Sequence, residues 1–437
     1  MDFKIAFTDK EITAWGGMIF MKKLIEKSGI AEKLNQLELP AQGSNRGYAP
    51  LQLIESFWIS VWCGANRFMH LDVLRMDATL QKLFDWKRMA GHKAFHRYFS
   101  KFTTAINHKV FHPLYQWFFQ QLQFDNYTLD LDSTVLTRYG NQKGAARGYN
   151  IKKPGRKSHH PLMAFVSDCR MIANFWLRSG DAFTANNFES FLLDTLDKLK
   201  DKTIGLLRAD SGFYCKNVFD ILESKSIQYI IAARMYAPLQ KLIVSIDNWL
   251  PLDNGLAITS TYYQSPLWDK ARTVIVVRQQ VEQRPKATGK ILSLFEDDEI
   301  ISGYRYSAFV TNLTLPAKEV WTLYKNRADA ENRIKELKED FGLESFCLNS
   351  FDATEASLNW VMIAYNLMSL FRQAVLRSKV QPQLKTLRYK LFAVPAYITK
   401  NGNQRILNMA IAMKRRKWFE GLFTSSDDLK MPYDFPT

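Results

Sequence analysis

The spacing of hydrophobic positions changes character three times along the chain. Over residues 12–112 apolar residues recur at helical spacing, in Met18, Met21, Leu24 and Ile25 and again in Leu51, Ile54, Phe57 and Trp58. Pro40 and the run AQGSNRGYAP punctuate these helices. In 92–102 (HKAFHRYFSKF) the stripe Phe95, Tyr98, Phe99 and Phe102 is expected to face a core. From Tyr127 the period shortens to two. YTLDLDSTVL (127–136) predicts a half-buried strand, and 161–168 and 171–177 predict two more around a polar turn at 168–170. A helix at 185–199, a strand at 203–208, a helix at 218–223 and a strand at 229–233 complete a β-β-β-α-β-α-β series, which implies an α/β core. Residues 239–311 are strand-rich (256–263, 273–281, 291–295, 306–311) and read as a β-rich insertion in that core. From Pro316 onward the pattern is helical, at 317–340, at 354–376 and in shorter helices to the end. The expected layout is a helical region at 1–120 suited to DNA-end recognition, a core at 121–238 and 312–350 split by the insertion at 239–311, and a helical region at 351–437.

Composition narrows the partners. Hydrophobic residues make up 47% and charged residues 23% of the 437, which is ordinary for a globular protein. The net charge of +16, from 59 basic and 43 acidic residues, favours a polyanion such as double-stranded DNA. Cys63, Cys169, Cys215 and Cys347 form no CxxC pair, so reduced thiols are expected rather than a disulfide frame or zinc site. The N-terminus MDFKIAFTDKEIT has no apolar signal core, and the longest apolar stretch, 358–371, is too short to span a bilayer. A cytoplasmic protein with no membrane partner is expected.

The segment YKNRADAENRIKELK carries the most chemistry. On one continuous helix Tyr324, Arg327, Glu331 and Lys338 would fall within an arc of about 60°. A solvated Arg327–Glu331 ion pair would account for two of the four and leave Tyr324 unexplained. Two further acids stand where function often sits in α/β sheets. Asp132 lies on the first strand in LDLDST, and Asp210 follows a strand in LLRADSGFY, where it could equally cap the next turn. Asp130 shares the strand face of Asp132, and periodicity does not separate them. Asp132, Asp210 and Glu331 together would suit two Mg²⁺ or Mn²⁺ ions, which prefer hard oxygen ligands. Such a pair, about 3.5–4 Å apart, activates the attacking oxygen and stabilises the leaving one in phosphoryl transfer. Tyr324, Arg327 and Lys338 would hold DNA backbone beside them.

Between Arg138 and Lys157 stand seven basic residues and no acid, with five Gly or Pro among them. The segment reads as a mobile loop contacting DNA backbone through Arg147, Lys152, Lys153, Arg156 and Lys157. The 414–417 cluster KRRK is a weaker candidate of the same kind. His159 and His160 lack companion ligands and read as structural or phosphate-contacting. No GxxxxGK phosphate loop and no nucleophile elbow is present.

Tyr324, Arg327, Glu331 and Lys338, in the pattern Y-x2-R-x3-E-x6-K, resemble the YREK signature of one branch of bacterial insertion-sequence DDE transposases (family 4/1380 type). Asp132 in DST and Asp210 in ADSGF resemble that pattern's first two acids, and GYNIKKPGRKSHHP resembles the segment between them. The resemblance covers 127–342. It implies a ribonuclease-H-like core with a β-strand insertion before the third acid and cut-and-paste strand transfer at inverted-repeat ends. It also implies a homodimeric synaptic complex acting at the nucleoid. It favours Asp132 over Asp130, because a small hydroxyl residue and Thr follow the family acid. Some relatives place Trp after the signature arginine to handle a flipped base. Here that residue is Ala328, which leaves Trp321, Trp268 or no residue for the role. A nuclease without strand transfer and a non-catalytic DNA-binding protein are the competing readings.

Overall fold

The structure, a computed structural model, describes residues 3–124, 126–280, 300–301, 303–378 and 380–435. Among the described residues a ten-stranded sheet lies at the centre. Eight of its strands are labelled here: β1 (Asn126–Ser133), β2 (Leu162–Val166), β3 (Met171–Trp176), β4 (Thr203–Ala209), β5 (Tyr229–Ala232), β6 (Leu256–Tyr263), β7 (Arg272–Gln280) and β8 (Tyr304–Thr311). The first five lie in the order β3-β2-β1-β4-β5. β1, β2 and β3 form an antiparallel meander, and β4 and β5 join β1 in parallel through helices Phe188–Lys198 and Lys216–Ser224. This is the ribonuclease-H-like core that the resemblance implies.

β1 is central, and that changes its burial. Alternation of Leu129 and Leu131 with Asp130 and Asp132 predicts one wet face, yet Leu129 to Asp132 are all buried. The acidic face can be covered because each acid meets an arginine.

The strand-rich stretch is part of the same sheet. β8 pairs antiparallel with β5, and β7, β6 and Leu250–Pro251 continue outward from it. Ile275 and Val277 of β7 and Phe309 of β8 pack under helix Ala317–Lys325 through Val320 and Trp321. The stretch also contains a helix, Ala237–Val244, and the strand expected at 291–295 lies outside the described residues.

The helical flanks share one core. Helix Pro50–Trp62 lies against helix Phe351–Ala374, with the indole N–H groups of Trp58 and Trp62 each donating at 3.1 Å to the carbonyls of Trp360 and Ala364. Phe95, Tyr98, Phe99 and Phe102 are buried as expected. Helix Phe351–Ala374 is buried almost all round and backs the edge strand β3. There Asn366 accepts from the Ile172 N–H and donates to the Ile172 C=O, both at 2.8 Å, so an amide side chain completes backbone pairing beside a bulge.

The region after this helix departs from the expected all-helical pattern. Ala396–Asn401 and Gln404–Met409 form a β-hairpin before helix Met413–Asp427. Its two-residue turn begins at Gly402, whose φ of 57° suits a hairpin turn that a side chain would strain. Among the described residues, the four cysteines are free and no helix is long and apolar enough to cross a membrane.

Candidate active site

Strand register sets the two aspartates side by side. Leu131 on β1 lies opposite Ala209 on β4, so Asp132 and Asp210 leave neighbouring parallel strands at the same end. Asp132 is buried; its Oδ1 accepts from the Ser133 N–H at 2.7 Å and its Oδ2 from Arg327 at 2.8 Å. Burial pushes the Asp132 carboxyl up to about 7, Arg327 opposes this, and Asp210 and Glu331 add to it. Asp210 and Glu331 therefore both lie within electrostatic reach of Asp132. Asp210 caps a short turn, its Oδ1 accepting from the Gly212 N–H at 3.0 Å, as the capping alternative predicts.

Asp130 has a different environment. Its two oxygens accept from Arg208 Nε and Nη2 at 2.6 and 2.8 Å, and Arg208 stands directly across on β4. Burial pushes the Asp130 carboxyl up, while the guanidinium, which does not give up its proton, holds it as a carboxylate. Asp130 is committed to this ion pair.

The continuous helix expected over 317–340 is broken. Helix Ala317–Lys325 and helix Ala328–Glu339 meet at Asn326 and Arg327, where the N–H groups of Arg327 and Ala330 bond three residues back to Tyr324 and Arg327, both at 2.9 Å. This tight turn drives Arg327 inward, to 4% exposure, where it reaches Asp132 and, at 3.3 Å, Glu331. Burial alone would lower its pKa; the surrounding acids raise it. Glu331 stays open, its side chain 60% exposed. The Tyr324 ring packs on Phe309 with centroids 4.4 Å apart, its hydroxyl lies 3.5 Å from the Ala209 carbonyl, and burial pushes its pKa up to about 12. Lys338 donates to the Val135 carbonyl at 2.9 Å and pairs with Glu344 at 3.3 Å; burial lowers its pKa against the pull of Glu344. The four signature residues thus border one site, but Arg327 and Lys338 already have protein partners.

The basic segment is more ordered than a loop. Leu136–Thr137 and Ala146–Arg147 both pair with Lys157–His159, forming a small three-stranded sheet. It displays Arg147, Lys152, Lys153, Arg156 and Lys157 to solvent, while Arg138 turns inward and donates to His159 Nδ1 at 2.9 Å. His159 and His160 are buried and hydrogen-bonded to protein. Trp268 lies in the core against Tyr214, Phe219 and Tyr263, and Trp321 packs under its own helix. Neither indole is presented toward the acids as a free surface. Sequence reasoning passed over Ser133 and Thr184, whose hydroxyls lie 3.2 Å apart beside Asp132 and the Asp210 turn. Ser133 had a signal in the DST context; Thr184 had none.

Among the described residues, no three His, Cys, Asp or Glu side chains stand close enough to hold a metal ion as arranged. The chemistry of the donors fits one nonetheless. Asp210 and Glu331 add negative charge around Asp132 that a hard divalent cation would relieve, and Arg327 now supplies part of that neutralisation.

A ribonuclease-H-like sheet with acids leaving its adjacent central strands defines a class of enzymes that transfer phosphoryl groups on nucleic acids. The family described as "Transposase DDE domain group 1" matches residues 2–430, and the chain belongs to it. It is a DDE transposase, an enzyme of DNA cleavage and strand transfer. None of the curated proteins is similar enough to count as a relative. The cryo-EM structure of the piggyBac transposase synaptic complex with hairpin DNA is similar at 13% identity over 86% of this chain and 78% of that one, with a TM-score of 0.46.

Proposed function

We propose that this transposase cuts DNA at the inverted-repeat ends of its element and joins the freed 3′ hydroxyls to target DNA, with Asp132, Asp210 and Glu331 as its acids. The observation that carries the reading is the register that sets Asp132 and Asp210 side by side, with the Arg327–Glu331 turn across from them. These acids would hold Mg²⁺ or Mn²⁺, in two ions, which when bound would activate the attacking oxygen and stabilise the leaving one. The chain's own groups then have distinct tasks. Asp210 and Glu331 raise the negative charge around Asp132. Arg327 screens that charge and competes with a cation for the same carboxylate, so its contact with a DNA phosphate depends on release from Asp132. Tyr324 backs the site and fixes the end of β4, while Lys338 ties the chain after β1 to the second helix. Arg147, Lys152, Lys153, Arg156 and Lys157 form a cationic ledge for the DNA backbone. Function as a homodimer at the nucleoid, and membership of the YREK branch of insertion-sequence enzymes, follow from this reading.

The test is Mg²⁺-dependent nicking and joining of an end-bearing duplex. Asp132→Ala, Asp210→Ala and Glu331→Ala should each abolish both steps while leaving gel-shift binding of the end intact. Full strand transfer in any one of them removes that acid from the assignment. Nicking without joining by the wild-type protein would favour a simple nuclease.

A further inference from the structure

Beside the acids lies a directional chain of hydrogen bonds with no part in the scheme above. His160 Nδ1 lies 2.9 Å from the Ala182 carbonyl and its Nε2 lies 3.1 Å from Ser133 Oγ. A carbonyl only accepts, so Nδ1 carries the proton, and in the neutral ring Nε2 offers a lone pair. The Ser133 hydroxyl must then donate inward to His160. Ser133 Oγ and Thr184 Oγ1 are 3.2 Å apart, and with the Ser133 proton already placed, Thr184 must donate to Ser133. All three donors point toward the protein. What remains on the half-buried oxygens of Ser133 and Thr184 is lone pairs.

The chain is held at both ends. The Thr184 turn is fixed by buried Arg178, whose Nη1 donates to the carbonyls of Phe183, Thr184 and Asn186 at 2.9, 3.2 and 2.9 Å, while its Nε donates to the His160 carbonyl at 3.0 Å. Thr184 also packs on the Asp210 turn: a Cβ placed on Gly212 would lie 2.8 Å from Thr184 Cγ2 and 2.9 Å from Asp210 Oδ1. Ser133 follows Asp132 directly, and its N–H donates to that carboxylate.

We propose that His160 is a positioning residue. It orients Ser133 and Thr184 so that the edge formed by their two oxygens, beside Asp132 and the Asp210 turn, offers acceptors only and receives a hydroxyl, either water or a DNA 3′ end. A hydroxyl can donate its hydrogen into that edge. A non-bridging phosphate oxygen, which can only accept, finds no donor there and is left to other parts of the site. The inference rests on the assignment of Asp132 and Asp210 as the reacting acids.

The experiment is single-turnover nicking and joining in Mg²⁺ by Ser133→Ala, His160→Ala, the double variant, Thr184→Val and Ser133→Thr, with wild type and Asp132→Asn alongside. Ser133→Ala and His160→Ala should each slow nicking and joining about tenfold, with end-binding affinity within about twofold of wild type. Because the two residues act through one chain, the double variant should be no slower than the slower single. Thr184→Val should show a smaller loss, and Ser133→Thr, which keeps the hydroxyl, should recover most of the rate. A wild-type rate in Ser133→Ala, or multiplied losses in the double variant, overturns the proposal. Should His160→Ala fail to fold, Ser133→Ala and its recovery in Ser133→Thr still decide it. An active wild type with an inactive Asp132→Asn keeps the acid assignment standing whatever these variants do, whereas an active Asp132→Asn removes that assignment first.

Discussion

Asparagine substitutions at Asp130 and Asp132, two positions apart on one strand, should have opposite consequences. Asp130→Asn removes the charge from a bidentate pair whose arginine is only 2% exposed. It also turns an amide N–H₂ toward a guanidinium that has nothing to accept with. Breaking one side of a buried ion pair costs about 3–5 kcal/mol. Asparagine keeps one acceptor, and Arg208 keeps its bond to the Ser167 hydroxyl at 3.1 Å, so the lower end of that range is expected. At roughly 2–4 °C per kcal/mol for a large domain, the melting temperature should fall by roughly 6–12 °C. Asp132→Asn removes a charge that burial already disfavours, pushing the carboxyl up to about 7. Arg327 keeps Glu331 and can still donate to the asparagine oxygen. The melting temperature of Asp132→Asn should match or exceed that of wild type, while nicking falls by about a thousandfold or more with loss of one of the acids proposed to hold metal. Thermal melts followed by circular dichroism, paired with single-turnover nicking in Mg²⁺, separate the two outcomes. An inactive Asp130→Asn that melts like wild type, or an Asp132→Asn that loses as much stability as Asp130→Asn, would refute the division of labour.

Three further perturbations test other parts of the fold. His159 accepts from Arg138 at Nδ1 and lies 3.0 Å from the Lys143 carbonyl at Nε2, which fixes a neutral ring; burial and Arg138 lower its pKa from 6.5 to about 4. The unfolded chain binds the proton first, so this stability is complete above about pH 6.5 and is lost as pH falls toward 4, by up to roughly 3 kcal/mol. Melts from pH 7.5 to 4.5 should show a shallower acid loss in His159→Gln, and parallel curves would exclude the effect. Asn366→Ala leaves the Ile172 N–H and C=O without partners at a buried bulge, and should cost about 2–3 kcal/mol; an unchanged melt would show that the edge strand does not depend on it. Lys152→Ala with Lys157→Ala removes two exposed cations from the ledge and should make the slope of log K against log salt shallower by about 2. An unchanged slope places DNA elsewhere.

The order of strands and helices was legible because each element carries its own period. The core strands fall within a few residues of their expected places, and Asp210 marks the turn after β4. Two misreadings had local causes. The C-terminal hairpin does carry its signal, alternating residues around Asn401–Gly402, which helical neighbours obscured. The break at Asn326 and Arg327 carries none, since neither Gly nor Pro stands there and the flanking residues favour helix.

What was not legible depends on contacts across the chain. Asp130 and Asp132 are equivalent by period, and only their arginines distinguish them: Arg208 lies 78 residues away and Arg327 lies 195 residues away. The same limit applies to Arg327. On a continuous helix it stands on an outer face, available to DNA. A turn tightened by three-residue hydrogen bonds sends it inward onto Asp132. Its type and spacing therefore mark it as part of the site, while its present partner is fixed by tertiary packing. A residue that neutralises an acid in this arrangement can serve a phosphate only by exchanging that partner. The spacing of the signature brings these residues to one place, and the buried Asp132 carboxylate is the partner that Arg327 would have to exchange.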